Sequence, residues 1–142
     1  ERRSMPYDLV WEPEGIHKRF SGFVTARQFL QSVEQTQRDS RFDEIHYIIN
    51  DLSEITGHEL SEEVLTHLAA INYGAYASNP NCRIVYVTTD EALVERLKAN
   101  LVSGEMTSFQ VDVQPTLTEA RDWLDSQPKL HNLSNVMGFR LG

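Results

Sequence analysis

Apolar residues recur with two different periods along the chain, and these periods predict five strands and four helices. Residues 7–11 and 16–22 are rich in strand-forming side chains, and 12–15 between them carry the Pro and Gly of a turn. They predict a β-hairpin with a slightly long loop. Residues 44–51 form a nearly continuous β-branched run that ends in two polar residues. Such a run is typical of a central strand that is covered on both faces.

Capping residues mark where the first two helices begin. Thr25 and Gln28 form a capping box ahead of apolar positions on one face, which predicts a helix at 26–38. Ser61 is a favourable N-cap for a long helix, whose acidic first turn suits the helix dipole. We expect residues 52–59, between the central strand and this helix, to form a connecting loop.

The second half of the chain repeats the strand–helix order. It predicts a strand at 82–88, a helix at 91–103, an edge strand at 109–113 and a helix that starts after Thr116. Thr89 or Asp90 caps the first of these helices and Gly104 ends it, while Thr116 and Glu119 form a second capping box. The fold class is therefore α/β. The mixed sheet has an N-terminal hairpin followed by alternating helices and mostly parallel strands, in the order β-β-α-β-α-β-α-β-α.

At 142 residues the chain is long enough for one domain with a core of its own. We expect that domain at 5–126, with a C-terminal tail at 127–142 that is mobile or lightly docked. Residues 1–4 precede Met5 and are expected to be an addition made for expression or an upstream extension.

Composition narrows the function mainly by exclusion. The net charge of −8 repels phosphate backbones, so nucleic acid is not an expected partner. The single cysteine, Cys82, allows no internal disulfide and fits a reducing, cytoplasmic location. No signal peptide and no apolar run of about 18 residues is present, so we expect no transmembrane segment.

Four short stretches, together with the order of strands and helices, carry a family resemblance. They are VWEPEG at 10–15, FSG at 20–22, RFD at 41–43 and IND at 49–51. In these the chain resembles the bacterial SpoIIAA-like proteins, small domains of the STAS type that are grouped with the lipid-carrying CRAL-TRIO fold. The resemblance covers about residues 7–124. It implies a binding or regulatory domain rather than an enzyme.

One branch of that family, the anti-sigma-factor antagonists, is switched by phosphorylation of a serine. The serine stands in an Asp-Ser-Ser-Gly motif that opens the helix after the central strand. Here Asp51-Leu52-Ser53 matches the strand end, but the helix opens without that motif, which leaves Ser61 as the candidate switch serine. Glu62 and Glu63 would repel a phosphate placed beside them.

Polar residues gather where the central strand and its neighbour are expected to end. They are Asn50, Asp51, Ser53, Glu54, Thr88, Thr89 and Asp90, with His58 in the adjoining loop. In open α/β sheets, ligands bind beyond the carboxyl ends of the strands, where helix N-termini offer free N–H groups. These residue types also cap helices and tie turns, which is their commoner role. A ligand or partner crevice and a set of structural caps both remain open.

Dedicated catalytic or cofactor motifs are absent from the sequence. The histidines, at positions 17, 46, 58, 67 and 131, do not follow a metal-binding spacing. Ser53, His58 and Asp90 supply the residue types of a Ser-His-Asp catalytic triad, but no Gly-x-Ser-x-Gly turn presents the serine. A dinucleotide fingerprint and a Walker loop are also missing. We predict no catalytic residues, no metal, no cofactor and no enzyme activity.

Two functions remain. The first is a regulatory domain that acts through a protein partner. The partner would bind near Tyr73 and Tyr76, or through tail residues Leu130, Leu133 and Phe139. The alternative is a carrier or sensor of an apolar or amphipathic ligand, such as a fatty acyl chain, in a helix–sheet pocket lined by the same tyrosines. The edge strand at 109–113 also suggests a homodimer.

Overall fold

The computed structural model describes residues 7–102 and 108–128, whose strands form one five-stranded sheet. In sheet order the strands are β1 (Tyr7–Glu12), β2 (Gly15–Val24), β3 (Tyr47–His58), β4 (Arg83–Val87) and β5 (Gln110–Gln114). β1 is antiparallel to β2, and β2 to β5 run parallel to one another. The predicted α/β class, with a hairpin followed by parallel strands, is confirmed.

The helices cover the two faces of the sheet unequally. They are α1 (Ala26–Arg38), α2 (Glu62–Tyr76), α3 (Glu91–Leu97) and α4 (Leu117–Ser126). Right-handed crossovers between strands added in one direction place α1, α2 and α3 on the same face, over the larger core. α4 follows the last strand and buries Ala120 against Ile49, Val85 and Val87 on the opposite face. None of the helices in the described ranges is long and apolar enough to cross a membrane.

The capping residues act as the sequence predicts. Thr25 accepts a hydrogen bond from the Gln28 backbone at 3.1 Å, and the Gln28 side chain accepts one from the Thr25 backbone at 2.9 Å. Ser61 caps α2, Asp90 caps α3 and Thr116 caps α4. Each cap satisfies N–H groups that the first turn of a helix leaves without a partner.

The central strand differs from the prediction at both ends. Residues Ser40–Glu44 form a 3₁₀ turn, and β3 begins only at Tyr47. The prediction of a loop at 52–59 is wrong for residues 52–58. These residues extend β3, because β2 continues to Val24 and pairs with them as far as His58. The resulting β2–β3 ribbon projects beyond β4, whose last residue pairs with Asp51. The polar residues that predominate at 52–59 resemble a loop in sequence, while pairing with β2 makes them a strand as far as His58.

Smaller differences concern turns and ends. The hairpin turn is tighter than predicted, since Glu12 pairs directly with Gly15. The Tyr47 ring occupies the place of a Cβ at Gly15, so only glycine fits there. α3 ends at Leu97 and continues as a π-helical turn, Lys98–Val102. The predicted helix end at Gly104 and the tail residues Leu130, Leu133 and Phe139 lie outside the described residues.

Candidate functional site

A row of polar side chains crosses the helix-covered face of the sheet. Lys18 on β2 pairs with Asn50 on β3, which pairs with Tyr86 on β4. The next row along the same face is entirely apolar: Ile16, Ile48, Ile84 and Val111. Since residues two apart on a strand share a face, Lys18 points into the core as Ile16 and Phe20 do. The sheet therefore buries an amine and an amide beneath its helices.

Lys18 is 1% exposed. Its Nζ lies 5.7 Å from the ring centre of Phe29 and 6.0 Å from that of Phe20. Within residues 7–102 and 108–128, this Nζ makes no ion pair and no hydrogen bond. It is not fully enclosed, since Asn50 Oδ1 is the one fully enclosed side-chain atom without a partner there. Burial disfavours the charged form and lowers the pKa of Lys18 to about 7. Near neutral pH, a large fraction of this amine is uncharged.

Asn50 stands beside Lys18 with an unmet hydrogen bond. Its side-chain oxygen, Oδ1, is the one buried polar side-chain atom in the described part of the chain that lacks a hydrogen-bond partner. A buried acceptor left in this way costs about 1–3 kcal/mol. Such atoms are uncommon in folded proteins and call for a physical explanation, of which a bound donor is one.

A cavity of about 10 Å³, here called the Lys18 cavity, separates this row from the helices. Its walls include Lys18, Asn50 and Tyr86 from the sheet, and Val33, Thr36, Gln37, Leu68 and Asn72 from α1 and α2. It has room for about one water-sized group. Gln37 donates a long hydrogen bond of 3.4 Å to Asn72 Oδ1, which joins α1 to α2 beside the cavity.

An open groove of about 730 Å³, here called the α1–α2 groove, runs between the two helices. Leu30, Val33 and Ile71 supply its apolar lining, and the polar lining residues are Arg27, Gln31, Glu34, Gln37, Arg38 and His67. Val33 and Gln37 line both the groove and the Lys18 cavity. These two side chains therefore form the partition between the groove and the buried amine.

A buried, hydrogen-bonded His–Asp pair occupies the opposite face of the sheet. His17 Nε2 lies 2.9 Å from Asp51 Oδ2, and the Ser53 hydroxyl donates to Asp51 Oδ1 at 2.6 Å. Burial alone would raise the pKa of Asp51, but the hydrogen bonds from His17 and Ser53 outweigh burial and lower it to about 2. Because the serine hydroxyl bonds the carboxylate and not the imidazole, the three residues do not form a Ser-His-Asp triad.

A third polar hollow, of about 300 Å³, lies beside α4. Two of its arginines already have partners: Arg121 contacts Glu12 at 2.8 Å, and Arg83 donates to Gln110 at 2.6 Å. Tyr47 also donates its hydroxyl to Glu12. These contacts tie α4 and β5 to the rest of the sheet, which is a structural role.

Strand alternation separates the residues predicted to share a crevice. Asn50 faces the helices and lines the Lys18 cavity, whereas Asp51 and Ser53 lie on the other face with His17. Glu54 is exposed on the β2–β3 ribbon. The crevice that the sequence suggested is thus divided between the two faces.

The structure does bring His58, Thr88 and Asp90 together. His58 Nε2 lies 3.6 Å from Asp90 Oδ2, and Thr88 Oγ1 accepts from the Asp90 backbone at 3.1 Å. His58 Nδ1 accepts a hydrogen bond from the Leu60 backbone at 2.9 Å, so in neutral His58 the proton is on Nε2, toward Asp90. Thr89 is exposed beside them. Each of the bonded residues serves a turn or a cap, as the structural interpretation expects.

The remaining candidate residues lie on α2 and at its start. Ser61 is exposed, and its hydroxyl accepts from the Val64 backbone at 3.2 Å as an N-cap. Tyr76 packs edge-on against Phe109, with ring centres 5.5 Å apart. Tyr73 is 53% exposed. One tyrosine therefore belongs to the core and the other to the surface.

Two residues of this site were missed in the sequence, Lys18 and His17. A period-two signal exists for the first, because Lys18 stands between Ile16 and Phe20 on a strand and so shares their face. No comparable signal marks His17, whose partner Asp51 is 34 positions away. Within the described ranges, no group of three or more His, Cys, Asp or Glu side chains could hold a metal ion.

Comparisons with known proteins identify no related protein. No family model matches the chain, and no curated protein or solved structure matches it significantly. The resemblance to SpoIIAA-like proteins therefore stays a prediction. It rests on the short stretches named above and on the order of strands and helices.

Proposed function

We propose that this protein is a non-enzymatic binding domain for a small amphipathic molecule. An oxygen of the ligand would lie at Lys18 and Asn50, and its apolar part would lie in the α1–α2 groove. The observation that carries the proposal concerns two groups beneath an open groove, the buried Lys18 amine and Asn50 Oδ1. Neither has a bonding partner in the part of the chain that the structure describes.

The energetics of the Lys18 cavity favour a ligand that carries both a hydrogen-bond acceptor and a donor. The buried Asn50 Oδ1 has no partner among the described residues, which costs free energy in the unliganded protein, and Lys18 Nζ finds no acceptor there. A carboxyl or hydroxyl group would accept a hydrogen bond from Lys18 Nζ. A hydroxyl group, or a carboxyl group in its protonated form, would also donate one to Asn50 Oδ1. Supplying these missing bonds would recover about 1–3 kcal/mol for each group, which is a direct source of affinity.

The groove supports the amphipathic half of the proposal. Leu30, Val33 and Ile71 offer apolar surface to a hydrocarbon chain, which gains about 0.8 kcal/mol for each buried methylene. Arg27 and Arg38 lie on the same lining and keep it from being wholly apolar. A medium-chain fatty acid is the simplest molecule with this distribution of polar and apolar surface.

Calorimetric titration with decanoate and with decanol tests the proposal. We expect wild-type protein to bind decanoate, Lys18→Met to bind it at least about tenfold more weakly, and Lys98→Met to bind as wild type does. Lys98 is the matched control because it is an exposed lysine on the π-helical turn. Equal decanoate affinity of the two variants, or no binding by wild type, would contradict the proposal.

A second candidate is a regulatory domain that acts through a protein partner. Phe23 favours it, because this large aromatic side chain is 53% exposed on the β2–β3 ribbon that projects beyond β4. Tyr73 on α2 and the outer edge of β5, the last strand of the described sheet, are the alternative surfaces. The edge of β5 would pair with a second copy of the chain. Light scattering of wild type and Phe23→Ser separates these cases. A dimer mass that falls to a monomer mass places self-association on the ribbon.

We also propose a cytoplasmic location. The lone cysteine, Cys82, is buried at the start of β4, and burial raises the pKa of its thiol. A thiol of that kind is unreactive and needs no oxidising compartment. Labelling of intact and lysed cells with a membrane-impermeant amine reagent would test the location.

A further inference from the structure

Lys18 combines three properties that Lys98, the other lysine in the described part of the chain, does not share. The sequence holds three lysines, Lys18, Lys98 and Lys129. Lys98 is exposed, and Lys129 lies outside the described residues, whereas Lys18 is 1% exposed. Two aromatic rings flank the Lys18 amine, and no carboxylate among the described residues stabilises its protonated form. An unprotonated lysine in such surroundings is a nucleophile.

We propose that Lys18 is a covalent capture site that forms a reversible imine with an aliphatic aldehyde entering from the α1–α2 groove. The inference rests on the proposed function, because it uses the same groove and the same cavity. It goes further by naming a carbonyl compound as the ligand class and a covalent bond as the mode of binding.

The chemistry balances without an oxidant, a reductant or a further reactant. The lone pair of Lys18 Nζ adds to the aldehyde carbon, and the carbonyl oxygen takes up the proton that the nitrogen loses. This carbinolamine then loses its hydroxyl group as water, after protonation, while the nitrogen lone pair forms the C=N bond. Hydrolysis reverses both steps, so the aldehyde is released unchanged.

Asn50 and the aromatic rings supply what each intermediate needs. The hydroxyl of the carbinolamine is a donor. Asn50 Oδ1, on the adjoining strand, is a buried acceptor that has no partner among the described residues. The protonated imine is a cation, and the faces of Phe20 and Phe29 stabilise a cation at that nitrogen. A cavity with little room for water also slows hydrolysis of the imine.

Reactivity at neutral pH distinguishes Lys18 from an ordinary lysine. With a pKa of about 7, close to half of the amine is unprotonated at pH 7. An exposed lysine with an ordinary pKa of about 10.4 is unprotonated in fewer than about one molecule in a thousand. The unprotonated fraction of Lys18 is thus about three orders of magnitude larger than that of an exposed lysine. Lys18 can therefore react faster even if the aldehyde enters slowly through the groove.

Entry requires the partition between groove and cavity to open. Val33 and Gln37 form that partition, and the bond from Gln37 to Asn72 is long at 3.4 Å. Replacing Val33 by alanine removes two methyl groups from the partition without touching Lys18. We expect Val33→Ala to react faster than wild type, which a purely structural lysine would not predict.

The test is reductive trapping with decanal and cyanoborohydride at pH 7, followed by peptide mapping of Lys18, Lys98, Lys129 and the amino terminus. We expect Lys18 to be labelled at least about tenfold faster than Lys98 in folded protein, and at a similar rate in urea. Lys98→Met should retain the Lys18 label, and Lys18→Met should lose the label in the core. Labelling of Lys18 no faster than Lys98 in the folded protein would overturn the proposal.

Parallel titration with decanoate keeps the two proposals distinguishable. Decanoate binding without a decanal adduct on Lys18 removes covalent capture and leaves the binding function standing. Absence of both removes both proposals. Because wild-type protein reports the labelled position directly, the result does not depend on whether Lys18→Met folds.

Discussion

His17 and Asp51 form a buried hydrogen-bonded pair across β2 and β3, with Nε2 and Oδ2 2.9 Å apart. Each side chain is only about one-tenth exposed, on the face of the sheet that α4 covers only in part. Ser53 donates two further hydrogen bonds to the same carboxylate, from its hydroxyl and its backbone. The pair therefore joins the N-terminal hairpin to the parallel sheet at the point where the β2–β3 ribbon leaves β4.

We predict that Asp51→Ala lowers the free energy of unfolding at pH 7 by about 1–3 kcal/mol, because it leaves His17 without its partner. The pKa of Asp51 is about 2 in the folded protein and close to 4 in an unfolded chain. A lowered acid pKa stabilises the fold above pH 4, and this stabilisation is lost as the pH falls through 2. Urea unfolding between pH 7 and pH 2 measures the effect, and exposed Asp8→Ala is the control. A constant difference down to pH 2 would contradict the assignment.

Lys18→Met is predicted to stabilise the protein below pH 7. The pKa of Lys18 falls from an ordinary 10.5 to about 7 on folding, because burial disfavours the charge. Below pH 7 the folded state carries the full cost of the buried charge, and the cost shrinks as the pH rises to 10.5. We expect a gain on the order of 5 kcal/mol at pH 6 that vanishes near pH 10.5. Thermal unfolding at both pH values tests this, with Lys98→Met as the control, and a gain independent of pH would contradict it.

Asn79, in the turn that follows α2, is predicted to be important for stability. Its side-chain nitrogen donates to the backbone oxygens of Phe42 at 2.7 Å and Ile45 at 2.8 Å. It thereby links the turn before β3 to the turn before β4. Asn79→Ala leaves two buried carbonyl groups without this donor, so we expect a loss of about 2–4 kcal/mol in urea unfolding. Asn81→Ala, at a half-buried neighbour, should cost less than about 1 kcal/mol.

Arg121 and Glu12 are predicted to be energetically coupled. The Arg121 guanidinium hydrogen-bonds Glu12 and lowers the pKa of that carboxyl, against the opposing effect of burial. Because both side chains are partly exposed, solvent screening limits the coupling to about 1 kcal/mol. A double-mutant cycle with Glu12→Gln and Arg121→Met measures it, and the coupling should fall in high salt. Additive single-variant effects would show that the contact contributes nothing.

Helix starts were predictable from the sequence because their causes are local. Thr25 and Gln28, or Thr116 and Glu119, lie within four residues of the N–H groups that they satisfy. Nothing elsewhere in the chain is needed to make these bonds. The order of strands and helices follows in the same way, from apolar periodicity and from the handedness of crossovers.

The extent of β3 and the grouping of the site depended on partners far away in the chain. Residues beyond Asp51 continue as a strand only because β2 pairs with them, so polar composition alone suggests a loop. Alternation along β3 then sends Asn50 and Asp51 to opposite faces, where different residues meet them. A crevice inferred because its residues are neighbours in sequence combines side chains that the pleat of the strand directs to opposite faces.

Lys18 shows where sequence and tertiary structure divide. Its position between Ile16 and Phe20 determines by itself that the three side chains share one face of β2. Only the packing of α1 and α2 over that face decides that the side chain is almost wholly buried. A lysine near the edge of a sheet extends its long side chain into solvent, whereas one covered by two helices is held between them and the sheet. The period of a strand is a property of its own backbone, while burial is a property of whatever the rest of the chain places above it.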